Sequence, residues 1–309
     1  MHLLNIALAR DVVLSSSVSL RVMSEKEVYS RYPFNEACHG RLYFARSHWC
    51  NHKVEAVVKL DTSETELPNL CGFEAIDELE KRFTHSHLLC CFDDQPSVYS
   101  TYRQVLVNGI QKQVDLSFMH DYIIAPSVLD EQGISLLKRC FSLLCSDRRD
   151  NYLDRSIDRF LSGRKQDIQH PNIANTPNWD KIVDYVVAME AILLSGKKSD
   201  LTLRFKLNGA WLLSEAYAID RKIAFDSLGH LYNLRSSVIH GYDLASAKKS
   251  ARKFLQSLSV SNSEKMGDLE IINKVSQNLE IWLQRLFFYL AETPEAIPIS
   301  VVVRSRCLH

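Results

Sequence analysis

An excess of charge of either sign is missing from this sequence: thirty-seven Lys and Arg balance thirty-seven Asp and Glu across 309 residues. Without a general positive field to gather polyanions, any contact with nucleic acid has to be made by a local patch. A cysteine framework is missing too. Cys38, Cys50, Cys71, Cys90, Cys91, Cys140, Cys145 and Cys307 show no repeated C-x-x-C spacing, which argues for free thiols in a reducing compartment. No apolar run is long enough for a membrane span, since YVVAMEAILL is short and carries Glu190. The opening MHLLNIALAR lacks a basic lead and a cleavage site, so no signal peptide is expected. The expectation is a cytoplasmic protein with no membrane partner. Internal repeats and low-complexity segments are absent, which excludes a solenoid and a long disordered tail. Gly-rich phosphate loops, G-x-S-x-G elbows and H-E-x-x-H helices are absent as well, and with them the sequence signals of NTPases, α/β-hydrolases and zinc proteases.

What is present is an ordinary globular composition, 46% apolar and 24% charged, on a chain long enough for two domains with buried cores. Over residues 1–125, β-prone runs (LNIALA, VVLSSSVSLRV, RLYFARSHW, KVEAVVKLD) alternate with polar turns. Phe73–Phe83, FEAIDELEKRF, interrupts them with a helical pattern, and Asn108-Gly109 suits a two-residue turn between YRQVLV and IQKQVDLSF. A strand-rich α+β domain is expected there.

After Pro126 the pattern becomes helical, and residues 126–309 are expected to form an all-α antiparallel bundle. Asp130–Phe160 carries an apolar stripe with a bend at its DRRD segment, and the polar stretch Ser162–Asn178 reads as a loop. Helices are then expected over Asp180–Ser195, with Asn178 or Asp180 as N-cap, and over Leu201–Ala218, Leu228–His240, Leu244–Leu258 and Asp268–Ala291. The tail after Pro298, ISVVV, reads as an extended arm or late strand.

Within the helical half, the stretch Leu231–Asp243, LYNLRSSVIHGYD, concentrates the chemistry. Arg235 presents a fixed fork of donors that matches phosphate oxygens, and His240 is the residue type whose ordinary pKa, about 6.5, lets it move a proton near neutral pH. Their spacing alone carries no weight, because Arg41/His48, Arg46/His52, Arg82/His87, Arg164/His170 and Arg304/His309 are spaced similarly. The surroundings separate them: Leu231, Leu234, Val238 and Ile239 recur at helical intervals, and Gly241 is a natural helix stop. Residues five apart on a helix differ in direction by roughly 140°, so Arg235 and His240 do not share one face. A second copy of the chain bringing its own pair would make a denser site.

LYNLRSSVIHGYD resembles the arginine-and-histidine motif of HEPN domains, in particular the Apea-like group, in which a tyrosine precedes RS and HG follows an apolar pair. Asp180–Leu194, DKIVDYVVAMEAILL, is similar to that group's helix with a buried glutamate before an alanine, and Leu203–Leu213, LRFKLNGAWLL, to its arginine-bearing helix. Together these cover roughly the last 170 to 180 residues, an ordinary domain size. The resemblance implies a metal-independent endoribonuclease without cofactor, active as a homodimer with two motifs facing each other, that leaves a 2′,3′-cyclic phosphate on tRNA or another cellular RNA. It also implies a setting in bacterial antiviral defence or as a toxin. Many active HEPN members carry Asn, Asp or His directly after the arginine, where this chain has Ser236, as is usual for the Apea-like branch. A non-catalytic RNA-binding, nucleotide-binding or regulatory dimerisation module is the alternative.

Glu190, in a mostly apolar helix, needs a cationic partner, with Arg204 and Arg235 as candidates; its structural reading is stronger than a catalytic one. Tyr232 could stack on a base, although a tyrosine on an apolar helix is more often core. Tyr242 and Asp243 would line the rim. Two groups invite a metal reading, Cys38, His39, His48, Cys50 and His52, and His85, His87, Cys90 and Cys91, but neither has zinc-finger or ribbon spacing. No metal site is expected.

Overall fold

Short polar side chains start several of the helices. In the computed structural model Asp130 Oδ1 accepts from the Gly133 N–H at 2.7 Å, and Asp220 Oδ1 accepts from the N–H groups of Lys222 and Ile223 at 2.9 and 3.0 Å. Asp243 accepts from the Ser246 N–H at 3.0 Å. Each satisfies donors that a helix start leaves open. The structure describes residues 2–3, 6–15, 18–22, 54–58, seven positions within 78–89, 100–107, 110–118, 127–128, 130–145, 151–169, 179–194, 199–241 and 243–293.

The chain divides into two compact units, Met1–Cys145 and Ser146–His309, a division later in the chain than the change of character at 125/126. In the first unit, β1 (His2–Leu3), β3 (Val12–Val13), β4 (Val18–Val22) and β5 (Val54–Val58) form an antiparallel sheet in the order β1-β5-β4-β3. β2 (Ile6–Ala7) pairs in parallel with β8 (Ser127–Val128). β6 (Ser100–Val107) and β7 (Ile110–Phe118) pair antiparallel around the Asn108-Gly109 position, with a register shift between Val105 and Leu106. Val12, Val18 and Leu20 are buried while Val13 is exposed, the alternation expected of half-buried strands. Glu78, Lys81, Arg82, Phe83, His85, Ser86 and Leu89 are helical, which meets the helix expected over Phe73–Phe83 at its end and continues past it.

The expectation of a strand-rich first domain is not upheld to that extent. The described strands are mostly two to five residues long, and helix predominates among the described residues. RLYFARSHW and ISVVV lie outside them. Helix α1 (Glu131–Cys145) belongs to the first unit; of the apolar stripe Leu136, Leu137, Cys140, Phe141 and Leu144 expected from the sequence it buries all but Leu136, which is half-buried, and it buries Ile134 and Leu143 as well. Arg10 meets Glu131, at its start, through both carboxylate oxygens at 2.8 and 2.9 Å.

The second unit comprises, among the described residues, the helices α2 (Asn151–Gln169), α3 (Trp179–Leu194), α4 (Leu201–Tyr217), α5 (Arg221–Gly241), α6 (Leu244–Ser257) and α7 (Asp268–Glu292). An all-helical bundle is therefore present here as expected. α2 packs along α3, α5 lies between α4 and α6, and α7 touches α3, α4 and α6. The core is aromatic where α2, α3, α6 and α7 meet: Phe160 lies 5.6 Å from Tyr185 and 5.5 Å from Phe287, and Phe254 lies 5.5 Å from Trp282.

Two expectations are corrected. Ser162–Asn178 is not a loop throughout, because α2 runs on to Gln169. Tertiary contacts override its weak local pattern: Gly163 packs closely against the Tyr185 ring, and the buried Arg164 meets Glu280 at 2.9 Å. The motif helix also starts earlier than Leu228. Asp220 caps it, so the segment through Phe225 is its first turns. Asn178, proposed as an N-cap, lies outside the described residues.

Candidate functional site

Helix α5 is oriented by one face. Leu228, Leu231, Leu234 and Val238 are at most 2% exposed, and steps of three and four residues make them a single stripe. Once that stripe is buried, the remaining positions are fixed. His230, Asn233, Ser237 and His240 fall on the side turned to α6, while Arg235 falls on the flank nearer α3.

Arg235 Nη2 approaches Glu190 Oε2 on α3 at 3.6 Å, with the two side chains 24% and 15% exposed. That distance is an ion-pair contact and too long for a hydrogen bond. Arg235 Nε, Glu190 Oε1 and Arg204 Nε are buried without a hydrogen-bond partner among the described residues. Burial raises the Glu190 pKa above the ordinary carboxylate value, and the nearby Arg235 charge offsets this in part. The structure thus pairs Glu190 with Arg235 rather than with Arg204. The guanidinium is tethered here but not locked.

Tyr232 has a packing partner, the buried Phe205 of α4, whose ring centre is 5.9 Å from its own. This is the core reading of that tyrosine. Tyr242 lies outside the described residues, as do Cys38, His39, His48, Cys50, His52, His87, Cys90 and Cys91. Among the described residues no three His, Cys, Asp or Glu side chains are grouped to hold a metal ion. Cys140 and Cys145 are free thiols, and the other six cysteines lie outside the described residues.

His240 and Ser236 face an open cleft of about 510 Å³ between α5 and α6. From α5 come His230, Asn233, Ser236, Ser237 and His240; from α6 and the turn before it come Asp243, Ser246, Lys249, Ser250 and Lys253. Among the described residues the only carboxylate in this lining is Asp243, which caps α6. Hydrogen bonds from Ser246 hold its pKa below the ordinary value, so it is charged and committed to the cap.

The cations of α6 divide between two duties. Lys248 pairs with Asp268, and Arg252 donates to the Met266 carbonyl at 3.5 Å. Lys249 and Lys253 point into the cleft and have no ion-pair partner among the described residues. His230 is half-buried, and burial first, then the Lys253 and Lys206 charges, lower its pKa against the opposing pull of Asp226.

The structure therefore separates the two residues of the motif. Arg235 belongs to a half-buried pair with α3, while His240 joins a cleft whose cations come from α6. Sequence reasoning missed His230, Lys249 and Lys253. The run Lys248-Lys249-Ser250-Ala251-Arg252-Lys253 was visible, but only the placement of α6 shows which of its cations face His240. Comparison with family models, with curated proteins and with solved structures finds no match for this chain.

Proposed function

We propose that the helical unit is a cytoplasmic, Apea-like HEPN bundle that binds RNA along the α5–α6 cleft and cleaves it without a metal ion. The observation that carries this reading is the cleft itself, where an exposed imidazole, His240, stands with two uncommitted ammonium groups, Lys249 and Lys253. Ammonium groups and hydroxyls such as Ser236 hold phosphate oxygens; the imidazole moves the proton. In the reaction the 2′-oxygen attacks the adjacent phosphorus, forming O2′–P and breaking P–O5′. His240 accepts the O2′ proton and returns it to O5′. The products are a 2′,3′-cyclic phosphate and a 5′-hydroxyl, and nothing else is consumed.

The crowded anionic phosphorane needs a cation that adapts to it. Arg235 lies on the flank of α5 toward Glu190, away from the His240 of its own chain, and in a homodimer its partly exposed fork is supplied to the His240 of a second copy. Support comes from the loose 3.6 Å pairing, which leaves Arg235 partly exposed, and from Ile239 and Leu244, which flank His240 in sequence and are 44% and 41% exposed. The first unit, an α+β domain in this reading, senses or positions a trigger. Defence against phage or a toxin role is the proposed setting.

The test is incubation of wild-type protein, His240→Ala and Arg235→Ala with tRNA and total RNA in EDTA. Each variant should lose about a hundredfold or more of the cleavage, the usual size of a proton-transfer or oxyanion contribution. Mixing the two inactive variants should restore about a quarter of it, because half of the dimers are mixed and each mixed dimer holds one intact composite site. Cleavage unaffected by His240→Ala would remove the proposed chemistry.

One observation favours a second reading, RNA or nucleotide binding without cleavage: within one chain the Arg235–Glu190 pair holds the guanidinium away from His240. On that reading Lys249→Ala weakens RNA binding while no cyclic-phosphate ends form under any condition.

A further inference from the structure

The reaction proposed above occupies one end of the α5–α6 cleft, beside His240 and the turn at Asp243. The other end is also lined by cationic chemistry. His230 stands ten residues before His240 on the same helix, which sets it about 15 Å back along the axis at roughly 1.5 Å per residue. There it lines the cleft together with Lys253 from α6. Asn233 and Ser250 line the cleft with them and can donate to anionic oxygens.

The one carboxylate of the cleft lining, Asp243, is at the opposite end. Asp226, one turn before His230 on α5, is already engaged by Lys222 Nζ at 3.2 Å. Lys206 of α4 also bears on His230 but sits over the Phe225 ring, 3.9 Å from its centre.

Two imidazoles about 15 Å apart along an axis cannot both reach one phosphodiester, since proton transfer needs hydrogen-bond reach. They can serve one strand at separate phosphates. At the roughly 3.4 Å rise per phosphate of a stacked strand, that span covers about four phosphates, and fewer if the strand is extended.

We infer that the His230–Lys253 end of the cleft is a phosphate-binding subsite that grips the backbone of single-stranded RNA several nucleotides from the bond cleaved at His240. This rests on the RNA reading and deepens it: the substrate is a single strand long enough to bridge both ends, and His230 and Lys253 are positioning residues. Mononucleotides and dinucleotides fill one end only.

The experiment is fluorescence anisotropy with labelled 2′-O-methyl oligouridylates of two and six nucleotides, which have no free 2′-hydroxyl and are not cleaved. Full-length protein is used, in EDTA at low salt. Wild type should hold the hexamer at least about tenfold more tightly than the dimer, as one additional charge-assisted phosphate contact requires. Lys253→Ala and His230→Asn should each shrink that ratio to about threefold or less, and Lys253→Glu should abolish it. Lys253 is exposed, so its substitutions leave the core intact even if the His230 variant folds poorly. Equal affinity for the two lengths, or an unchanged ratio in the Lys253 variants, overturns the subsite while leaving RNA binding in place. Failure of both lengths to bind overturns the RNA reading and the subsite with it.

Discussion

Glu190 illustrates how far a single carboxylate in this bundle is governed by where it is buried. Its pKa is raised by burial more than the Arg235 charge lowers it, so folding favours the protonated form. Stability from this group is fully present below the unfolded-state pKa and is lost as pH rises through the raised folded value. Glu190→Gln, which keeps the shape without the charge, should therefore gain in melting temperature relative to wild type as pH is raised from about 4 to about 8. A difference that stays flat across that range, followed by thermal unfolding at each pH, would show that Glu190 does not titrate in the fold as argued. The need for a cation beside Glu190 was legible from a carboxylate in the run YVVAMEAILL; the choice of Arg235 over Arg204 was not, because it depends on how α5 lies against α3.

At the scale of the helices, the informative case is α2. Its second half, Leu161–Gln169, has a polar sequence, and the segment continues as helix because the neighbouring elements give it contacts. A Cβ added at Gly163 would meet the Tyr185 ring carbons at 2.5 and 2.8 Å, and that ring is fully buried between α2, α3 and α7. Gly163→Ala should therefore cost about 1–3 kcal/mol by overpacking, despite the higher helix propensity of alanine. Chemical denaturation reads this directly, and a stabilised variant would mean that α2 is free to shift outward. Helix α5 shows the reverse case. The apolar steps Leu231, Leu234 and Val238 fixed its buried face in advance, whereas Ile239, expected with them, is exposed; the roughly 140° between Arg235 and His240 anticipated their separation. Its start rests on the Asp220 cap, which apolar spacing does not record.

For the molecule as a whole, the absence of net charge limits what RNA binding can look like. With charges balanced over the chain, the proposed RNA reading draws its affinity from the cleft, where Lys249 and Lys253 have no ion-pair partner among the described residues. Each phosphate neutralised on a single strand contributes about −0.7 to the slope of log affinity against log salt, so two give roughly −1.4. A slope several times steeper, measured by titration across salt concentrations at neutral pH, would place the binding surface elsewhere. The slope should steepen on acidification as His230, whose pKa is held down by burial, Lys253 and Lys206 against Asp226, takes up its proton.

The amino-acid sequence by itself determined the helical second half, the positions of most of its helices, and the buried stripe of α5. All of these follow from periodicities that local geometry imposes on any chain. Only the tertiary structure decided which charges meet. Arg235 went to Glu190, while His240 joined His230, Lys249 and Lys253, because side chains from different helices become neighbours through packing angles and helix offsets that no local spacing records.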